Sequence, residues 1–162
     1  MLHAYLNMYT EYKFRLSTIF RITMQLTLFA DYSLRTLMYL SLHEERLCTV
    51  REISERYGIS QNHLVKIVHK LSRLGYIKSV KGKGGGIGLL KKPDEINLRS
   101  LIIALETNLT LVECFDAEQN TCKIVAECKL KKILWDALKA FLDTLGEYTL
   151  ADLVIKPKLF YG

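Results

Sequence analysis

Apolar residues recur every three or four positions from residue 26 onward, as Leu26, Phe29, Ala30, Leu34, Leu37 and Met38, with Ser41 continuing the step. That is the period of one helical face, and it predicts a first core helix over 24–42. After a polar break at 43–46, Val50, Ile53 and Tyr57 predict a short second helix. It stops at Gly58, a residue type that readily takes the left-handed conformation closing a helix. Ser60 is placed to cap a third helix, with Leu64, Ile67, Val68 and Leu71 turned inward. Gln61, Asn62, His63, Lys66, His69 and Lys70 then project outward. Two short helices joined by a glycine-containing turn make the helix-turn-helix pattern. Residues 76–80 and 87–90 read as short strands joined by the basic, glycine-rich stretch 81–86, a hairpin or wing. Further on, Leu130, Ile133, Leu134, Ala137, Leu138, Phe141, Leu142 and Leu145 predict a long, strongly amphipathic helix.

The fold class expected is therefore mostly α: a winged helix-turn-helix domain with a long C-terminal dimerisation helix. The boundaries are a winged domain over 24–100, a connecting helix and cysteine loop over 101–128, and the dimerisation helix and tail over 129–155. Residues 1–23 lack the basic start, continuous apolar run and small-residue cleavage site of an export signal, and are read as an upstream extension. A wing domain of this size cannot cover the whole apolar face of the long helix. Pairing with a second copy is the expected solution, folding back onto the same chain the alternative.

Composition narrows the function. With 162 residues, 49% of them hydrophobic, the chain buries one sizeable core. The net charge is +6, and between Thr49 and Lys92 ten basic residues face only Glu52 and Glu55, a local +8. Such a segment suits a polyanion. The candidate DNA-binding set is Arg51, Ser60, Gln61, Asn62, His63, Lys66, Lys81 and Lys83. Its basic members would neutralise phosphates, its amides and His63 would meet base edges in a major groove, and the wing would reach backbone or minor groove. A two-fold dimer would match an inverted repeat in double-stranded DNA. The glycine cluster fits neither nucleotide-binding spacing, because position 87 is Ile, position 89 is Leu and no Gly-Lys-Ser/Thr occurs. Without paired carboxylates, a nucleophile with a spaced base or a nucleotide loop, no enzyme is expected. No run of about 18 apolar residues reads as a membrane span.

Cys114, Cys122 and Cys128 are spaced C-x7-C-x5-C, while Cys48 stands apart as a small core residue. With no export signal, thiols in a reducing cytoplasm fit better than disulfides. Zinc sites show a tighter step and four ligands, and redox pairs a C-x-x-C. The wide spacing leaves three readings open: a metal or iron-sulfur site, a thiol redox switch, or buried cysteines.

The segments MQLTLFADYSLRTLMYLS, ISQNHLVKIVHKLSRLGYIKSVKGKGGGIGLL and LVECF with two further cysteines resemble the dimeric iron-sulfur winged-helix regulators that include IscR, in particular their nitric-oxide-sensing repressors. The resemblance runs from Met24 to about Leu145. It implies a cytoplasmic homodimeric repressor whose operator affinity is controlled by an iron-sulfur cluster that reacts with nitric oxide. Cys114, Cys122 and Cys128 would be the ligands, with 4Fe-4S preferred to 2Fe-2S. Asp31 matches the aspartate supplied by the other subunit, and Arg35, one turn on, would hold that carboxylate when it is off the metal. Two features depart from the pattern. IscR-like members carry a histidine where this chain has Lys131, and the first cysteine gap is seven residues where five is common. A regulator of the same fold sensing iron-sulfur supply, redox state or zinc is the alternative.

Overall fold

A computed structural model describes residues 25–153. The upstream extension, Met24 and the last two positions of the expected tail lie outside the described residues. Helix α1 spans Leu28–Ser41 and begins later than the hydrophobic period suggests. Thr27 caps it, its hydroxyl accepting from the Ala30 N–H at 3.1 Å, and Leu26 is left outside, exposed. The buried side of α1 is also wider than one stripe, because Ser33 and Thr36 are buried with Leu37, Tyr39 and Leu40. Their hydroxyls donate to the carbonyls of Phe29 and Tyr32 at 2.6 and 2.7 Å, which satisfies them inside the core.

Helix α2, Val50–Tyr57, and helix α3, Gln61–Arg73, fall where the sequence signals put them. Thr49 and Glu52 form a reciprocal capping box at the head of α2. Gly58 closes α2 at φ +65°, in the left-handed region that a Cβ disfavours. Strands β1, Ile77–Val80, and β2, Gly86–Leu89, pair antiparallel from Ile77↔Leu89 to Val80↔Gly86. Cys48 adds itself to the free edge of β2, exchanging hydrogen bonds with Ile87 at 2.8 and 2.7 Å. A Cβ on Gly86 would lie 2.6 Å from the Cys48 carbonyl oxygen, so only glycine permits this pairing. Cys48 is fully buried, the core residue expected of it.

A 3-10 turn at Pro93–Glu95 leads to helix α4, Leu98–Leu105, capped by Asn97, with Leu98, Leu101, Ile102 and Leu105 buried. The segment 106–128, with a 3-10 turn at Glu113–Phe115, connects to helix α5, Lys129–Gly146. The C-terminal end of α5 is pinned: Asn97 Nδ2 donates to the Gly146 carbonyl at 2.7 Å, and Arg99 pairs with Asp143 at 2.6 Å. The chain then returns through Leu150–Leu153, where Leu150 is buried and its N–H bonds Ile96 at 2.8 Å. No residue of α5 is buried, and Leu130 and Ile133 stand 60% and 63% exposed. Folding back on the same chain therefore accounts only for the far end of α5, where Leu145 packs against the core.

Candidate nucleic-acid interface and cysteine loop

The outward face of α3 is built by its packing. Leu64, Ile67 and Leu71 are buried and Val68 is half-buried, which turns Gln61, Asn62, His63, Lys66 and His69 to solvent. Ser60 fixes the start of the helix, its hydroxyl accepting from the His63 N–H at 3.3 Å. Val65, 56% exposed, stands on this polar side and was missed by the outward set read from the sequence. Its spacing was the available signal, because it lies one turn from both Gln61 and Asn62. Lys81 and Lys83 are exposed at the wing tip. Arg51 is exposed on α2 and bonds Glu55 at 2.8 Å, a weak surface pair that a phosphate can displace.

Beneath the wing, Glu52 gathers polar groups. One carboxylate oxygen accepts from Arg46 at 2.8 Å and the Tyr39 hydroxyl at 3.2 Å, the other from the Thr49 N–H at 3.0 Å. Burial alone would push the carboxyl up, but the Thr49 hydrogen bond and the Arg46 guanidinium outweigh it and hold Glu52 at about 2. Burial pushes the neighbouring Cys48 thiol up to about 12. Cys48 is therefore held as the neutral thiol, a weak nucleophile.

Asp31 lies in the first turn of α1, gripped by Arg35 through two hydrogen bonds, Nε to Oδ1 at 3.0 Å and Nη2 to Oδ2 at 2.7 Å. The Arg35 guanidinium lies 5.7 Å from the Tyr32 ring centre, and the Tyr32 ring lies 6.0 Å from the His63 ring. A run of touching side chains thus leads from Asp31 to the head of α3. Sequence reasoning named both ends and omitted Tyr32, because nothing local relates residue 32 to residue 63.

Cys114, Cys122 and Cys128 are free thiols and partly buried. Both the N–H and the hydroxyl of Thr121 donate to Glu113, which lays the Cys122 segment against the Cys114 segment. Those hydrogen bonds hold the Glu113 carboxyl below the usual carboxylate range. Phe115 meets Trp135 of α5 edge-on at 5.3 Å between ring centres, so the loop leans on the helix that Cys128 caps. Among the described residues, no three Cys, His, Asp or Glu side chains converge as a metal site. The donor set nonetheless fits an iron-sulfur cluster in its chemistry, offering three unbridged thiols on one loop without deep burial. Lys129, Lys131 and Lys132 crowd the first turn of α5, where cations oppose the helix dipole and an anionic thiolate site would offset them. Lys131 has no ring nitrogen to offer such a site.

A helix-turn-helix with a free outward face, a basic hairpin beside it and a cysteine loop leading to a long helix defines a winged-helix, DNA-binding regulator of transcription. The chain belongs to the Rrf2 family, whose model, described as "Iron-dependent Transcriptional regulator", matches residues 26–156. It is 48% identical over 133 residues to the HTH-type transcriptional regulator NsrR of Shouchella clausii, covering 82% of this chain and 89% of that one. The regulator of the same name from Bacillus subtilis is 44% identical over 132 residues, covering 81% and 90%. Among solved structures, T. potens IscR superposes with a TM-score of 0.63 at 25% identity, covering 82% of this chain and 87% of that one. CymR, the global cysteine regulator of B. subtilis, superposes at 0.61 with 27% identity, covering 81% and 96%. Among the described residues, no helix is long and apolar enough to cross a membrane.

Proposed function

We propose that the chain is a cytoplasmic repressor acting as a homodimer on an inverted-repeat operator, with its affinity set by an iron-sulfur cluster held by Cys114, Cys122, Cys128 and the partner subunit's Asp31. Nitric oxide is the signal. Three things support this reading: the similarity to regulators named NsrR, the thiol trio on one loop, and the free apolar face of α5. The observation that carries it is the unbroken path of touching side chains from Asp31 through Arg35 and Tyr32 to His63. A bound cluster would supply an iron that reacts with nitric oxide, and the Asp31 carboxylate would be a harder and more readily displaced ligand than the three thiolates.

The protein's own residues translate that chemistry. Arg35 holds Asp31 when the carboxylate is free, and gives it up when the carboxylate is engaged elsewhere. Releasing the guanidinium changes what lies over the Tyr32 ring, and Tyr32 in turn bears on His63 at the start of the reading helix. A coupling of about 1 to 3 kcal/mol is enough to change operator occupancy several-fold to a hundredfold.

The test is anaerobic purification of single alanine variants with counts of iron, sulfide and zinc. Cys114→Ala, Cys122→Ala and Cys128→Ala lose iron, whereas Cys48→Ala keeps it. Full iron and sulfide in all three would overturn the ligand set, and zinc in place of iron would assign the site to a zinc regulator. Asp31→Ala still takes up iron but shows an altered absorption spectrum and weakened nitric oxide control of DNA binding. A wild-type spectrum and response in that variant would return Asp31 to a purely structural pair with Arg35.

A further inference from the structure

The solvent face of α3 is polar except at Val65. Gln61, Asn62, His63, Lys66, His69, Ser72 and Arg73 are exposed around it, and Val65 stands among them with 56% of its surface open. A single exposed apolar residue is ordinary. Its place is what gives this one meaning. Val65 lies one turn from Gln61 and Asn62 on one side and from His69 on the other, on the flank of the exposed face beside the two amides. β-branched residues are also poor choices for an exposed helical position, where both helix propensity and hydration favour a long polar side chain. Val65 buries less than half of its surface, so packing returns little of that cost.

Two methyl groups offer only apolar contact, and a major groove displays one apolar feature on its base edges, the 5-methyl of thymine. Cytosine would set its amino group, and a purine its acceptors, against a side chain with nothing to pair them, and each would lose its water for no return. We propose that Val65 is a specificity-determining residue that reads the methyl group of one thymine in each half-site, next to bases hydrogen-bonded by Gln61 or Asn62. This rests on α3 being the reading helix, and adds to that helix a requirement of opposite chemistry to its amides.

The probe is a duplex selected from a random-sequence pool with the full-length wild-type protein. Each thymine is then replaced, one at a time, by deoxyuridine, which removes only the methyl. Wild type loses affinity at one symmetry-related position, by roughly fourfold per half-site, the worth of one buried methyl. Val65→Ala binds the parent duplex more weakly by a similar factor and is indifferent to uridine at that position, so the two losses do not add. Val65→Ile keeps the discrimination, and both variants melt as cooperatively as the wild type, Val65→Ala no lower, because the site is exposed and alanine is the better helix former. Uridine tolerated at every position, or a uridine penalty that persists in Val65→Ala, overturns the inference while leaving α3 in the groove. Wild-type sequence preference in Gln61→Ala and Asn62→Ala as well would instead overturn the reading helix itself.

Discussion

At the scale of single residues, Glu52 has the most to lose. It closes the capping box of α2, receives Arg46 and the Tyr39 hydroxyl, and lies beside the buried Cys48 thiol. Its carboxyl titrates at about 2, below the usual 4.5, so its ionised form is favoured by folding. That contribution is complete above pH 4.5 and is lost as the pH falls toward 2. Glu52→Gln keeps the size of the side chain and removes the charge. Thermal or urea melts should find it less stable than wild type by about 1 to 2 kcal/mol at pH 7, with the gap closing as the pH is lowered through that window. A gap that does not change with pH would mean that shape alone matters there. The valine at position 65 teaches a related lesson. A hydrophobicity label assigns it to the core, and only its angular place on α3 shows that it faces out.

At the scale of elements, the wing and the reading helix should separate two kinds of energy. Lys81 and Lys83 are exposed at the hairpin tip, so Lys81→Ala with Lys83→Ala should weaken binding to every sequence alike. The slope of log K against log salt should fall by about one for each phosphate that is no longer neutralised. Equal slopes for variant and wild type would remove the wing from the interface. The helix-turn-helix was legible in the sequence because its signals are local: Gly58 ends one helix and Ser60 starts the next within three positions. The start of α1 was not, since a period of apolar residues does not reveal that Thr27 takes the cap. Pairings across long stretches of chain were equally hidden. Cys48 on β2, Tyr32 against His63 and the return of Leu150 to Ile96 depend on the whole core being in place. The cysteine trio was visible as a spacing, but its attachment to α5 through Phe115 and Trp135 was not.

At the scale of the whole molecule, α5 is held at one end and open along the rest. Asn97 and Arg99 fix its last turns, while Leu130 and Ile133 present an apolar face that the described part of the chain leaves uncovered. A second copy on that face would put two reading helices on half-sites spaced by about one turn of DNA, 10 to 10.5 bp. Ile133→Glu should therefore yield monomers in sedimentation at micromolar concentration and lose most of the affinity for the two-site duplex, with its melting behaviour little changed. A dimer of wild-type strength would place the pairing surface elsewhere. The same helix carries the only tryptophan of the 162 residues, Trp135, half exposed and edge-on to Phe115 one residue from Cys114. Indole emission shifts in colour when the ring is dried and dims when a neighbour quenches it. Rearranging the cysteine loop changes the Phe115 side of this ring. The protein thus carries its one indole at the junction of loop and helix, and that rearrangement can be followed in real time in the unlabelled chain.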